Sequence, residues 1–260
     1  MNPTIIDLSV RDLATVYSLL LMSIGLARLI NAGQGSTLFW AGLRMFVQLL
    51  LVGYVLHLVF SLENALAVLL ILIVMLGFAV QTIGARVQVK MPHFYRVVGT
   101  AILLGCGGMT FFFCTLVIGL NPWYDPRYLI PLAGMVIGNS MTGASLAVER
   151  LSSEFRERRE EIETALCLGS TVQRAAEPAV SSAFRAALIP SINAMAAMGL
   201  VFLPGMMTGQ ILSGTEPLIA VKYQIAIMCV ITGSVALTSF LILRMGYRSY
   251  FTPYQSLRED

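Results

Sequence analysis

Apolar runs of about 18 to 25 residues recur along this 260-residue chain, separated by short polar segments. A helix of that length crosses the roughly 30 Å hydrocarbon layer of a bilayer. Lipid offers no partners to backbone N–H and C=O groups, so spanning segments must satisfy their own hydrogen bonds, as helices do. A β-barrel is excluded, because its strands are short and alternate in polarity. With 57% hydrophobic and 12% charged residues, the chain has more apolar surface than one soluble core of this length can hide. The expected fold is all-α and polytopic, a single transmembrane domain over residues 1–260.

About seven spans are expected: Leu13 to Ile30, Leu38 to Phe60, Leu62 to Gly84, Val97 to Leu120, Tyr128 to Val148, Leu188 to Leu212 and Leu218 to Leu243. Basic residues are concentrated in alternate connections. Arg86, Lys90 and Arg96 lie between spans three and four; Arg150, Arg156, Arg158, Arg159, Arg174 and Arg185 lie between five and six; Arg244, Arg248 and Arg258 follow span seven. The positive-inside rule then places the N-terminus outside and the C-terminus in the cytoplasm. Asp7, Arg11 and Asp12 precede the first run without a basic n-region or cleavage site, so that run reads as a permanent helix.

A net charge of +3, scattered over loops, gives no basic patch for nucleic acid. The four cysteines, Cys106, Cys114, Cys167 and Cys229, form no CxxC or Cys/His cluster, which leaves no disulfide framework or zinc site to read.

The one strongly charged stretch is Glu149 to Glu163, within the expected cytoplasmic coupling region 149–187. Arg150/Glu154, Glu154/Arg158, Arg156/Glu160 and Arg159/Glu163 fall four apart with opposite signs, while Leu151, Phe155, Ile162 and Leu166 form a thin apolar stripe. This predicts a solvated helix continuing span five. Gly169 is placed to end it, Ser170 or Thr171 to cap a short new helix over Val172 to Glu177, and Pro178 to open another. Any long cytoplasmic loop is charged, but here E-T-A-L-C-L-G reads as E-x-A-x-x-x-G, with small residues at Ala165, Gly169, Ala175 and Ala176 that suit a close fit in a partner's cleft. ABC permeases transmit nucleotide-driven motion through such coupling helices. The candidate docking residues are Glu163, Ala165, Gly169, Ser170, Thr171, Gln173 and Arg174. The chain has no G-x-x-x-x-G-K-[ST] loop, so ATP and Mg would be held by a separate subunit, and no cofactor is expected here.

Several blocks in order resemble the FetB-type permeases of bacterial ABC transporters, a family associated with iron export whose plant relatives are linked to aluminium tolerance. They are L-I-P-L-A-G-M-V-I-G-N-S-M (Leu129 to Met141), L-C-L-G-S-T (Leu166 to Thr171), F-R-A-A-L-I-P (Phe184 to Pro190), G-L-V-F-L-P-G-M-M-T-G-Q-I-L (Gly199 to Leu212) and K-Y-Q-I (Lys222 to Ile225). The resemblance implies a permease homodimer in the bacterial inner membrane, bound to cytoplasmic ATPase subunits and exporting iron or a related metal species. Thr164 stands at the first alanine of the importer pattern E-A-A-x-x-x-G, and the interval from Gly169 to Pro190 is long, which sets the chain apart from importers.

Inside the spans, polar residues need partners or a water-filled path. Arg44 and Gln48 share a face of span two and suit an anion or a polar neighbour; snorkelling to the headgroups is the alternative. Asn139 and Asn193 suit a pair or a path lining. The run Gly134, Gly138, Ser140, Gly143 and Ser145 suits close helix packing. Leu203-Pro204-Gly205 marks a hinge or broken helix at Pro204 and Gly205. Met206 and Met207, with Met195, Met198, Met135 and Met141, offer soft thioethers, though methionine is also ordinary apolar filling. An autonomous secondary transporter or channel is the alternative to an ABC permease; a seven-span receptor would not need the docking pattern.

Overall fold

The computed structural model describes residues 9–30, 33, 35–62, 64–87, 93–252 and 254–258. Their regular structure is helical, with two isolated bridges as the only β pairing among them. The chain divides into two compact units, Met1–Glu63 with Leu212–Gly214, and Asn64–Ile211 with Thr215–Asp260.

The first unit is a helical hairpin of α1 (Val10–Leu29) and α2 (Gly35–Leu62). Ser9 opens α1 with a reciprocal cap: its backbone N–H donates to Asp12 Oδ2 at 2.8 Å, and its Oγ accepts from the Asp12 N–H at 3.4 Å. The helices touch at Gly42, where an added Cβ would stand 2.3 Å from Leu20 Cδ2, and Tyr17 Oη donates to the Gly42 carbonyl at 3.3 Å.

The second unit holds α3 (Ala65–Arg86), a continuous fourth helix (Phe94–Val117), α6 (Pro126–Glu157), α7 (Arg159–Cys167), α8 (Val172–Ala197), α9 (Gly205–Leu212) and α10 (Pro217–Gly246). The fourth helix is α4 (Phe94–Ile102) and α5 (Gly108–Phe112), each followed by a π turn, at Leu103–Gly107 and Phe113–Val117. At the centre of the unit, α6 packs on α8, α10 and α3. Small residues permit this. A Cβ on Gly143 would meet Val235 Cγ1 at 2.6 Å and the Ala187 carbonyl at 3.2 Å, and one on Gly105 would meet Thr238 Oγ1 at 2.1 Å. Between these contacts the buried hydroxyls of Ser140 and Ser234 bond at 2.9 Å, and Ser234 also donates to the Gly105 carbonyl at 3.3 Å. These two buried hydroxyls are thus paired across the helix junctions, which suits packing in lipid.

Among the described residues six helices are long and apolar enough to cross a membrane. They correspond to six expected spans, with ends shifted by a few residues except that α6 runs on to Glu157. The remaining expected span, Leu188 to Leu212, is not one helix. Residues 188–197 complete α8, residues 198–204 form a break, and α9 starts at Gly205. Gly199 reverses the chain at φ +83°, and its N–H donates to the Phe202 carbonyl at 2.9 Å. Pro204 stands before α9, accepting from the Thr208 N–H at 2.9 Å, so the proline lies at a helix start instead of kinking a longer helix.

The second correction concerns α8. Pro178 and Pro190 both lie inside it, and neither opens a new helix. The helix is anchored along its length against α10: Ala176, Ala179, Ala183 and Ala187 share a core with Leu243 and Tyr247, and near its other end Gln224 Nε2 reaches Met198 Sδ at 3.8 Å. The two helices are antiparallel. Tertiary packing therefore outweighs the missing backbone donors of two prolines.

Candidate docking site and translocation face

The charged stretch builds a projecting helix pair. α6 carries it as far as Glu157, the chain bends at Arg158 (φ −105°, ψ 23°), and α7 follows. Three of the four expected ion pairs form: Arg150 to Glu154 at 2.6 Å, Arg158 to Glu154 at 2.9 Å and Arg159 to Glu163 at 2.9 Å. Arg156 and Glu160 stand on opposite sides of the bend, so a spacing of four no longer puts them on one face, and among the described residues no ion pair joins them. The stripe Leu151, Phe155 and Ile162 is buried, with Leu166 packed against the same core.

The glycine of E-x-A-x-x-x-G has a local reason. Gly169 takes φ +85°, its N–H donates to the Leu166 carbonyl at 3.0 Å, and the Ser170 N–H donates to the Ala165 carbonyl at 2.9 Å. This pair of bonds is the Schellman closure of a helix, which favours glycine at its left-handed position. Thr171 then caps α8, its Oγ1 accepting from the Arg174 N–H at 3.4 Å. Helix, reversal and cap occupy a few residues and turn the chain back on itself.

Of the candidate docking residues, Gly169, Thr171, Gln173 and Arg174 are exposed, while Glu163, Ala165 and Ser170 are half-buried. The structure corrects the expectation that small residues face outward together. Ala175 and Ala176 are buried in the chain's own core, which α8 shares with α6, α7 and α10. Sequence reasoning missed Leu168, which is 84% exposed at the tip of the turn. The helical stripe through Ile162 and Leu166 gave no reason to single it out.

Below the tip, the pair is rooted in the membrane helices by a buried carboxylate. Glu154 is 2% exposed; it takes a 2.6 Å hydrogen bond from Ser182 Oγ on α8 in addition to its two arginines, and Arg150 Nε donates to the same Ser182 Oγ at 3.1 Å. A groove of 760 Å³ runs between α8 and the end of α10, with Thr171, Gln173, Arg174, Phe184, Arg244 and Tyr247 on its walls. The arrangement pairs an exposed end with a buried root that ties α6 to α8.

The membrane candidates fall in different places. Arg44 and Gln48 lie on α2, in the first unit, both exposed and four residues apart. Asn139 is exposed on α6, one of its two amide N–H groups donating to the Met135 carbonyl at 2.8 Å within its own helix, and among the described residues no bond to Asn193 forms. A Cβ added at Gly138 beside it would meet nothing within 4 Å. Asn193 is exposed on α8. Met135, Asn139, Thr142 and Leu146 thus form a partly exposed stripe along the middle of α6, with Asn139 and Thr142 as its polar members. Met206 and Met207 are half-buried on α9, directly after Pro204 and Gly205.

A model of the uncharacterised protein family UPF0014 matches residues 10–251. The chain is 40% identical to the UPF0014 membrane protein slr1647 of Synechocystis, with 99% of each chain covered. It is 32% identical to Protein ALUMINUM SENSITIVE 3 of Arabidopsis thaliana, over 94% of this chain and 88% of the relative. It is 28% identical to the Probable iron export permease protein FetB of Escherichia coli, over 95% of this chain and 93% of that one. No solved structure matches.

Proposed function

The chain belongs to the uncharacterised UPF0014 family of multi-pass membrane proteins, and on that premise we propose that it is the permease subunit of an ATP-driven ABC exporter moving iron or a related metal species out of the cytoplasm. The observation that carries this reading is the projecting pair α7 and α8. Its tip exposes Leu168, Gly169, Thr171, Gln173 and Arg174, while its root is fixed through Glu154, Ser182 and a row of alanines to two membrane helices. An isolated permease has no use for a rigid handle; one driven by a detachable motor does. The motor is a separate soluble ATPase that holds ATP and Mg, and two permeases pair in the bacterial inner membrane, with each N-terminus outside and each C-terminus in the cytoplasm.

Asn139, Asn193, Arg44, Gln48, Met206 and Met207 are the candidates for lining the path, and the break ending at Pro204 and Gly205 is its hinge. The cargo is argued from the name of the Escherichia coli relative alone. The alternative, an autonomous secondary transporter or channel, calls for ionisable groups gathered within the membrane. Among the described residues no group of three or more His, Cys, Asp or Glu gathers to hold an ion.

The test is metal movement in inside-out vesicles that contain the chain and its candidate ATPase. Iron uptake that requires ATP and a live ATPase is expected. Equal uptake with an ATPase-dead partner would overturn the proposal.

A further inference from the structure

Under the break that follows α8 lies a cavity of 330 Å³ with an unusual lining. Five of its eleven wall residues carry sulfur: Met195 and Met198 from the end of α8, Met207 from α9, and Met228 and Cys229 from α10. The whole chain has 14 methionines and four cysteines in 260 residues, so sulfur is concentrated here several-fold over its average. Apolar filling alone gives no reason for that concentration, since leucine and isoleucine are abundant in the same helices.

Gln224 gives the cavity its direction. This wall residue is 7% exposed, its Nε2 donates to Met198 Sδ at 3.8 Å, and its Oε1 is buried with no hydrogen-bond partner. Buried amide oxygens are ordinarily satisfied, and one left open in a lined cavity marks a place for a ligand. The neighbouring side chains cannot fill the vacancy with a strong donor, because thioethers only accept and a thiol donates weakly. Thr232 Oγ1, the nearest hydroxyl to Met195, is directed to its Sδ at 3.7 Å. The cavity is rich in lone pairs and poor in protons to share, which is the complement of a cation.

The donor set selects the kind of cation. Thioether and thiolate sulfur prefer soft, monovalent d¹⁰ ions over Fe(II), Mg(II) or Ca(II), which take harder ligands. No carboxylate lines the cavity to neutralise a divalent charge. We propose that this pocket is a binding site for a soft monovalent cation, Cu(I) or Ag(I), held by Met195, Met207, Met228 and Cys229 and oriented by Gln224. Cys229 binds as its thiolate and releases its proton to bulk water, so a bound monovalent ion leaves the pocket neutral. This deepens the reading of the chain as a metal permease and rests on that reading only for the site's place on a transport route; binding itself does not depend on it.

The test uses the full-length chain in lipid nanodiscs, its affinity tag removed, titrated anaerobically with Cu(I) against a colorimetric Cu(I) chelator. One ion per chain is expected. The triple variant Met195→Leu, Met207→Leu, Met228→Leu keeps side-chain volume and should weaken binding by about 10–100-fold, as should Cys229→Ser, while Met22→Leu in α1 should not. Copper X-ray absorption should report sulfur ligation that declines in the triple variant. If the wild-type chain holds Cu(I) no more tightly than the triple variant, the site is refuted. ATP-driven iron uptake alongside absent Cu(I) binding would refute the pocket and leave the exporter standing; Cu(I) binding with no ATP-driven metal movement would do the reverse.

Discussion

Three residues show how differently a named position can act. Gly169 adopts φ +85°, yet a Cβ added there would meet nothing within 4 Å, so backbone strain, and no clash within this chain, limits substitution. Gly169→Asn, which tolerates that conformation, should retain stability and ATPase binding, whereas Gly169→Val should cost about 1–3 kcal/mol of stability in a thermal melt. Gly169→Arg should insert into the membrane and lose co-purification with the ATPase; retained co-purification would remove this turn from the docking surface. Glu154 is the opposite case, a buried group with partners on two helices. Glu154→Ala leaves Ser182 and two arginines without their carboxylate and should destabilise the detergent-solubilised chain by about 1–3 kcal/mol, read by denaturation. Asn139 donates one of its N–H groups within its own helix, so Asn139→Leu should leave expression and melting temperature unchanged while ATP-driven transport falls. Equal losses of assembly and transport would assign it to packing.

At the scale of elements, close approach decides what the helices tolerate. Gly143→Ala drives a methyl against Val235 and the Ala187 carbonyl, and should cost about 1–3 kcal/mol. Val235→Ala in the same chain should return part of that loss, because it clears the 2.6 Å contact and leaves the 3.2 Å one. A melt of the double variant no higher than that of Gly143→Ala would show that the backbone contact dominates. Much of this level is legible in sequence. Long apolar runs set the membrane helices, opposite charges four apart foretold three ion pairs, and Gly169 followed by Thr171 announced a reversal and a cap. What escaped depends on neighbours distant in the chain. Nothing local says that Pro178 and Pro190 will be carried inside one helix by packing against α10, or that Ala175 and Ala176 face inward. Gly199 and Pro204 jointly break the expected Leu188 to Leu212 span, whereas the sequence marked Pro204 and Gly205 but offered no sign of the turn at Gly199. The pocket below that break gathers side chains from three helices, so no spacing rule could assemble it.

For the whole molecule, the first matter to establish is which side of the membrane each end occupies. Cys167 is exposed at the end of α7, and Cys106 and Cys114 are buried, which supplies a native reporter. In a Cys229→Ala background, a membrane-impermeant maleimide should label Cys167 in inside-out vesicles and fail to do so in intact cells. Labelling from outside intact cells would invert the topology and detach the handle from any cytoplasmic motor.

One feature of α6 bears on how such a handle works. Its 32 residues form an unbroken rod of about 48 Å that begins at Pro126, passes its tightest contact at Gly143 and ends beside α7. A rod that pivoted at this contact would be a seesaw with Gly143 as its fulcrum. When a push at the charged end swings it one way, the Pro126 end swings the other by a similar distance. In the proposed pair of permeases, drawing two such rods together at the charged end would spread them at the Pro126 end, making opening and closing one movement with no relay between them.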